Sequence, residues 1–109
     1  MNIQILPEKA KQKLDNGHSV VFLDVREPWE YDLARIEGAK LIPLGEIQQR
    51  INELDSESEI IVYCHHGVRS FHATMFLRQK GFPRVQNLAG GIDGWSLRID
   101  SSVPRYEGM

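Results

Sequence analysis

The sequence predicts an α/β fold in which a central, mostly parallel β-sheet is covered by helices on both faces. Two unbroken apolar runs, residues 20–23 and 60–63, are typical of strands that are buried on both sides, as in parallel sheets. Shorter apolar runs and stretches of helical spacing alternate with them along the chain. The length of 109 residues fits one domain, so we predict a single domain over residues 1–109.

Short apolar runs that are bounded by turn residues predict the strands. The runs at 20–23 and 60–63 contain β-branched and aromatic residues, which favour extended backbone. The remaining runs are shorter and less regular. In chain order, the predicted strands are residues 3–6, 20–23, 39–42, 60–63 and 85–88.

Residues that begin or end helices, together with apolar spacing, predict the helices between these strands. Pro7 begins the first helix because proline is tolerated in a first helical turn, and Asn16-Gly17 is a typical end signal. Apolar residues in 44–54 recur at spacings of three and four, which predicts an amphipathic helix. In chain order, the predicted helices are residues 7–16, 27–33, 44–54, 70–80 and 91–97.

Composition and charge exclude several classes of protein. Thirteen basic and fifteen acidic residues give a net charge of -2. Proteins that bind nucleic acids usually carry a net positive charge, which attracts the phosphates. Because the net charge of this chain is slightly negative, we expect no nucleic-acid partner. The chain has no apolar run of about 18 residues and its first residues lack the pattern of a signal peptide, so we expect no membrane association.

Cys64 is the only cysteine, so the chain cannot form an internal disulfide. This usage fits a reducing compartment, and we predict a cytoplasmic location. Cys64 directly follows the apolar run at 60–63. Because ligands of open parallel sheets bind beyond the carboxyl ends of the strands, we expect an accessible Cys64 at that edge.

The loop at residues 64–70 combines a thiol with groups that bind anions. So short a loop directs main-chain N–H groups inward, and Gly67 permits a left-handed backbone there. A following helix start and the guanidinium of Arg69 add positive charge. A hydrogen bond to a charged group contributes about 1.5–3 kcal/mol, against about 0.3–1 kcal/mol for a helix end. We therefore expect the amides to keep Cys64 largely a thiolate at neutral pH; the alternative is an inert, buried cysteine.

Three segments, in this order along the chain, resemble signatures of the rhodanese family of sulfurtransferases. Residues 23–31, with 36–39 and 42–43, resemble the N-terminal signature, and residues 87–95 resemble the C-terminal one. The matches span about residues 20–97. In place of the glycine-histidine pair that the family often has, this chain has Ala34-Arg35. The segment that resembles the active-site loop is Cys64-His65-His66-Gly67-Val68-Arg69-Ser70.

The resemblance implies a rhodanese-like fold with a five-stranded sheet, and sulfur transfer in two steps without a cofactor. Cys64 would be the catalytic nucleophile, taking sulfur from a small anionic donor such as thiosulfate and holding it as a persulfide. A thiol or cyanide would then accept the sulfur, and a protein could be donor or acceptor. The loop amides would stabilise the terminal sulfur, and Arg69 would bind the donor and shape the loop. The residues of this binding loop are His65, His66, Gly67, Val68, Arg69 and Ser70.

Two other functions stay open from the sequence. One is a sulfur carrier or partner-binding module that turns over small donors slowly. The other is a phosphatase or arsenate reductase on the same fold. Related phosphatases have five residues between the cysteine and the arginine, whereas four separate Cys64 from Arg69. The smaller ring fits sulfur better than phosphate.

The remaining polar residues have structural interpretations. Asp24 and Arg26 follow the strand at 20–23, so we expect an ion pair there that supports the pocket. His65 and His66 are expected to line the pocket, and one of them could be a pH-sensitive cation. They predict no metal site, because adjacent side chains rarely converge on one ion. The polar tail at 101–109 is expected to fray.

Overall fold

A computed structural model describes residues 2–107 of the chain. Met1, Gly108 and Met109, which belong to the predicted domain and its tail, lie outside the described residues. The strands are β1 (Gln4–Ile5), β2 (Val20–Asp24), β3 (Lys40–Leu41), β4 (Glu59–Tyr63) and β5 (Val85–Leu88). The helices are α1 (Pro7–Asp15), α2 (Pro28–Leu33), α3 (Ile47–Arg50), α4 (Val68–Gln79) and α5 (Gly91–Arg98).

The five strands form one sheet in the order β1-β5-β4-β2-β3, and their pairings are parallel. This confirms the predicted fold class. The central strand β4 is buried along its whole length, as its unbroken apolar run indicates. It pairs with β2 in a register that sets Asp24 opposite Tyr63. The two strands therefore end level, and the segments that follow them leave the same edge of the sheet.

The sheet separates two clusters of buried side chains. Residues of α1 and α5 pack with the cluster that contains Ile61 and Tyr63. Residues of α3 and α4 pack with the cluster on the other face, which contains Val62 and Cys64. Helices thus cover both faces, as predicted. No helix within residues 2–107 combines the length and apolar character that crossing a bilayer requires.

Two predicted helices have different bounds in the structure. Residues 44–54 form a 3₁₀ turn (Leu44–Glu46), the single α-helical turn α3, and a second 3₁₀ turn (Ile51–Glu53). The apolar residues explain this division, because two of their spacings are three, the repeat of a 3₁₀ helix, and only the spacing from Ile47 to Ile51 is four. Helix α4 begins at Val68, two residues earlier than predicted, because Gly67 is its N-cap.

Replacing Leu77 tests the packing of α4 against the sheet. Leu77 is fully buried, so we expect Leu77→Ala to lower the free energy of unfolding by about 2–5 kcal/mol. Leu97→Ala is the matched control, since Leu97 is also helical but 61% exposed, and it should change stability by less than about 0.5 kcal/mol. Urea denaturation measures both. Equal effects of the two substitutions would contradict the described packing.

Candidate active site

Cys64 lies directly after β4, at the carboxyl edge of the sheet. Its Sγ atom accepts hydrogen bonds from two main-chain amides, those of Gly67 at 3.1 Å and Ser70 at 3.3 Å. Gly67 has a φ of +116°, in the left-handed region that glycine adopts readily and other residues avoid. Amide donors of this kind stabilise a negative charge on the acceptor. The loop is therefore built to favour an anionic sulfur.

The hydroxyl of Ser70 is a third polar neighbour of the sulfur, at 3.3 Å from Sγ. The same hydroxyl also lies within hydrogen-bond distance of Oδ1 of Asn87, and its single proton serves one of these acceptors at a time. The Nδ2 group of Asn87 donates to the carbonyl of Gly67 at 3.1 Å. Asn87 thus holds both ends of the sulfur-binding turn. No role for Asn87 was predicted from the sequence; the available signal was a pair of amide residues, Gln86 and Asn87, inside a short strand between Val85 and Leu88.

Cys64 is more buried than the sequence analysis expects. Only 2% of its surface is exposed, and it belongs to the apolar cluster that also includes Val25 and Ala73. Cys64 lies at the predicted edge of the sheet, but the expectation that its side chain is accessible to solvent is wrong. The physical reason is that the turn which donates to the sulfur also encloses it. These donors still distinguish Cys64 from an inert core cysteine with apolar neighbours alone.

The guanidinium of Arg69 is directed at Glu30 and not at the sulfur. Its Nη1 and Nη2 groups donate to the two carboxylate oxygens of Glu30, at 2.8 and 2.9 Å. A buried carboxylate needs such a partner to compensate for lost water, and Glu30 is 1% exposed. The hydrogen bond to Glu30 raises the pKa of Arg69, burial opposes it, and the charges of Glu30 and Cys64 raise it further. Within residues 2–107, Arg69 contributes positive charge near Sγ but no hydrogen bond to it.

Glu30 is a site residue that the sequence analysis misses. It lies in the first turn of α2, where its Oε1 accepts from the main-chain amide of Glu27 in a capping box. Burial by itself would raise the pKa of Glu30, but hydrogen bonds from Arg69 and Tyr106 lower it to about 2. The carboxylate is therefore ionised at neutral pH. The available signal was the acidic residue three positions after Glu27, which predicts a helix start but no partner.

Asp24 and Arg26 form a fully buried ion pair at the end of β2. Nε and Nη2 of Arg26 donate to the two carboxylate oxygens of Asp24, at 2.8 and 2.6 Å. Nη2 also donates to the carbonyl of Ala34 at 2.6 Å, and Nη1 donates to the hydroxyl of Tyr106 at 2.8 Å. The pair therefore holds the segment that follows β2 in place. It is linked to the cysteine loop through Tyr106 and through Glu30, whose main-chain carbonyl accepts from Nη1 of Arg26 at 3.3 Å and whose carboxylate binds Arg69.

The described part of the C-terminal tail, residues 101–107, packs on the site, whereas the sequence predicts that the tail frays. The hydroxyl of Tyr106 accepts from Arg26 and donates to Oε2 of Glu30 at 2.7 Å. Its ring lies 4.3 Å from the ring of His65, centroid to centroid. Burial raises the pKa of Tyr106 to about 12, so the phenol stays protonated and can donate. Val103, which is buried in the core, and the ion pair of Arg105 with Asp93 hold the same segment in addition to Tyr106.

The turn between β5 and α5 packs against the main chain of the cysteine loop. Gly91 has a φ of +61°, and a Cβ atom there would lie 2.6 Å from the carbonyl oxygen of Cys64 and would also clash with that of His65. The amide of Ile92 donates to the Cys64 carbonyl at 2.9 Å, and the amide of Asp93 to the His65 carbonyl at 3.1 Å. From the sequence, Gly90 and Gly91 are expected only to permit a tight turn between a strand and a helix. The structure shows that Gly91 also permits close contact between the two segments.

The other loop residues differ in exposure. His65 is buried and lies against Tyr106 and His66, whereas the His66 side chain is largely exposed. Burial, and secondly the neighbouring His66, lower the pKa of His65. His65 is therefore neutral at neutral pH and does not supply a cation to the sulfur. The Val68 side chain is 69% exposed and faces away from the buried core.

Comparison with known proteins assigns the family. The sequence model of the rhodanese-like domain family matches residues 6–98 of this chain. The chain belongs to the rhodanese-like family. A Staphylococcus aureus protein with a rhodanese-like domain has the same fold, with a TM-score of 0.83, 27% identity, and coverage of 97% of this chain and 100% of that one.

Two curated relatives connect this rhodanese-like domain with sulfur transfer. YrkF of Bacillus subtilis, a proposed sulfur carrier, is 43% identical over 97 residues, which are 89% of this chain. The chain spans only 52% of the length of YrkF. A protein of Allochromatium vinosum named a sulfurtransferase is 34% identical over 93 residues, with 85% of this chain and 87% of the relative covered.

Gly91→Ala tests whether the turn below the cysteine loop must lack a side chain. We expect this substitution to lower the free energy of unfolding by about 2–4 kcal/mol, the sum of a left-handed backbone cost and a clash with loop carbonyls. Gly17→Ala is the matched control, because Gly17 also has a positive φ but open space around it; its cost should stay near 1–2 kcal/mol. Denaturant unfolding of both variants decides. A loss no larger than that of the control would refute the close contact.

Glu30→Gln tests the ionic link between α2 and the cysteine loop. Folding lowers the pKa of Glu30 from its ordinary value of 4.5 to about 2, so the carboxylate stabilises the fold above pH 4.5. That contribution, about 1–3 kcal/mol, is lost as the pH falls from 4.5 towards 2. Urea unfolding at a series of pH values should show a shallower decline for Glu30→Gln in this window. Glu37→Gln, at an exposed position, should follow the wild type; identical curves for all three proteins would contradict the link.

Proposed function

We propose that this rhodanese-like domain is a sulfurtransferase that carries sulfane sulfur as a persulfide on Cys64. The observation that carries the proposal is the pair of main-chain amides, from Gly67 and Ser70, that donate to Sγ. Two such donors stabilise the thiolate that attacks a donor. As part of the proposal, the loop amides also stabilise the negative charge of the persulfide.

The proposed reaction has two half-reactions. In the first, the thiolate of Cys64 attacks the outer sulfur of a donor such as thiosulfate, a new S–S bond forms, and the donor's S–S bond breaks. Sulfite leaves with the electron pair of that bond, and the outer sulfur stays on Cys64 as an anionic persulfide. In the second, a thiolate or cyanide attacks the terminal sulfur, and the bond to Cys64 breaks. The thiolate of Cys64 is thereby restored, and no cofactor is consumed.

The burial of Cys64 favours small sulfur donors in which the transferred sulfur is a terminal atom. The enclosing turn leaves Cys64 2% exposed, which suits one terminal sulfur atom better than a bulky group. Arg69, bound to Glu30 at the edge of the loop, would attract an anionic donor by its charge. The pair with Glu30 uses two of the five N–H groups of Arg69, so the guanidinium could keep this pair and still donate to an anionic donor.

A sulfur carrier is the second candidate, and the proposed role of YrkF favours it. The chain would then receive sulfur from a protein donor and pass it to a protein acceptor, with slow turnover of small donors. Both candidates share the Cys64 persulfide and differ only in how quickly small molecules load and unload it. As part of the proposal we assign the reaction to the cytoplasm, where a lone thiol stays reduced.

Loading with thiosulfate tests the persulfide directly. Intact-mass measurement should show a gain of one sulfur atom on the wild type and no gain on Cys64→Ser. Leu97→Ala, at an exposed position on α5, should load like the wild type. Cyanide should then remove the sulfur as thiocyanate and return the protein to its original mass. A chain that gains no sulfur from thiosulfate or from a persulfide-loaded desulfurase would contradict the proposal.

Steady-state kinetics separate the two candidates. Rapid thiocyanate formation from thiosulfate and cyanide supports the sulfurtransferase, whereas stoichiometric loading followed by slow turnover supports the carrier. Hydrolysis of an aryl phosphate that is lost in Cys64→Ser would instead support the phosphatase that the cysteine-arginine spacing disfavours.

A further inference from the structure

Three potential metal ligands meet beside the cysteine loop. One nitrogen from each of His65 and His66 and one carboxylate oxygen of Asp93 all lie within 4.8 Å of one another. The two imidazole rings are 4.0 Å apart between centroids, and Nε2 of His66 lies 3.6 Å from Oδ2 of Asp93. The expectation that the side chains of adjacent histidines do not converge is therefore wrong here. The proposed sulfur transfer assigns no step to this cluster.

The backbone fixes the position of these residues before any ion binds. The amide of Asp93 donates to the carbonyl of His65 at 3.1 Å, which ties the first turn of α5 to the cysteine loop. Gly91 permits that approach because a side chain there would clash with the same carbonyl. The acidic residue is thus held against the histidine loop by main-chain contacts, independently of its own charge.

His65 supplies a second and independent observation. Both of its ring nitrogens are buried, and within residues 2–107 neither makes a hydrogen bond of normal geometry; the main chain of Tyr106 is the polar group nearest to serving as a partner. A buried polar group without a partner costs about 1–3 kcal/mol, so native proteins rarely leave one unsatisfied unless a water or an ion completes its contacts. The neutral imidazole has a free lone pair, and in that form histidine is the commonest metal ligand in proteins.

Asp93 is already oriented for such a role. Nε of Arg105 donates to its Oδ1 at 2.8 Å, while Oδ2 faces His66. Carboxylates that bind metals are commonly held by a hydrogen bond of this kind. Nη2 of Arg105 also lies 3.2 Å from Oδ2, so an ion bound to that oxygen would share it with a second positive charge. The competition between the two cations predicts binding of moderate strength.

We propose that His65, His66 and Asp93 bind one divalent transition-metal ion of the zinc type. Two imidazoles and one carboxylate are the donor set of zinc sites that keep a fourth position open, and they are unlike the all-oxygen sites of calcium and magnesium. Bound there, the ion bridges the cysteine loop and α5. Cys64 is not a ligand, so the proposal stands or falls separately from the persulfide chemistry.

Isothermal titration of the full chain with Zn²⁺ at neutral pH tests the site, with cobalt absorption as an independent readout. We expect one ion per chain and a tetrahedral cobalt spectrum. His66→Ala and Asp93→Asn should each weaken binding about tenfold or more, since loss of a supporting residue alone costs that much in known sites. The change at Asp93 is isosteric and His66 is exposed, and circular dichroism verifies the fold of both variants.

Control variants decide whether the ion binds at this cluster. His18→Ala and His72→Ala remove exposed histidines outside the cluster and should leave the affinity unchanged. Cys64→Ser should also retain binding, whether or not the wild type forms a persulfide. Absence of binding up to millimolar Zn²⁺, unchanged affinity in His66→Ala and Asp93→Asn, or loss of binding in Cys64→Ser would each overturn the proposal.

Discussion

Two main-chain hydrogen bonds to one sulfur atom are the interaction on which the rest of this site depends. The amides of Gly67 and Ser70 reach Sγ of Cys64 because the loop turns sharply between β4 and α4. Each such bond to a charged acceptor contributes about 1.5–3 kcal/mol, more than the end of a helix provides. The geometry requires a left-handed glycine at position 67 and encloses the sulfur. The same turn therefore explains both the two donors at the sulfur and the burial of Cys64.

Around this turn, buried charges are paired rather than directed at the sulfur. Glu30 binds Arg69 and Tyr106, and Arg26 binds Asp24 and Tyr106, so one phenol joins two ionic groups. Removing one member of a buried ion pair leaves the other charge uncompensated. The resulting loss of stability is much larger than the net stabilisation that the intact pair provides. This explains why a short polar tail packs on the site. It also explains why Arg69 influences the sulfur by its charge and not by contact.

Main-chain contacts between the cysteine loop and α5 connect the sulfur site to the proposed metal site. The carbonyls of Cys64 and His65 accept from the amides of Ile92 and Asp93, and Gly91 makes room for this contact. A change at the start of α5 would therefore reach the turn that holds the sulfur. An ion bound by His65, His66 and Asp93 would strengthen the same connection. The two proposed sites would thus share the segment that joins the cysteine loop to α5.

The amino-acid sequence by itself determined the α/β class, the parallel sheet, and the position of Cys64 after a buried strand. These features depend on local patterns: unbroken apolar runs, a glycine in a short loop, and helix end signals. The structure alone decided the partners of the polar groups. Glu30 and Arg69 are 39 residues apart, and Arg26 and Tyr106 are 80 apart. Local spacing indicates which residues are buried, but which buried charges meet depends on how the strands and helices pack, and packing brings together residues that no short pattern links.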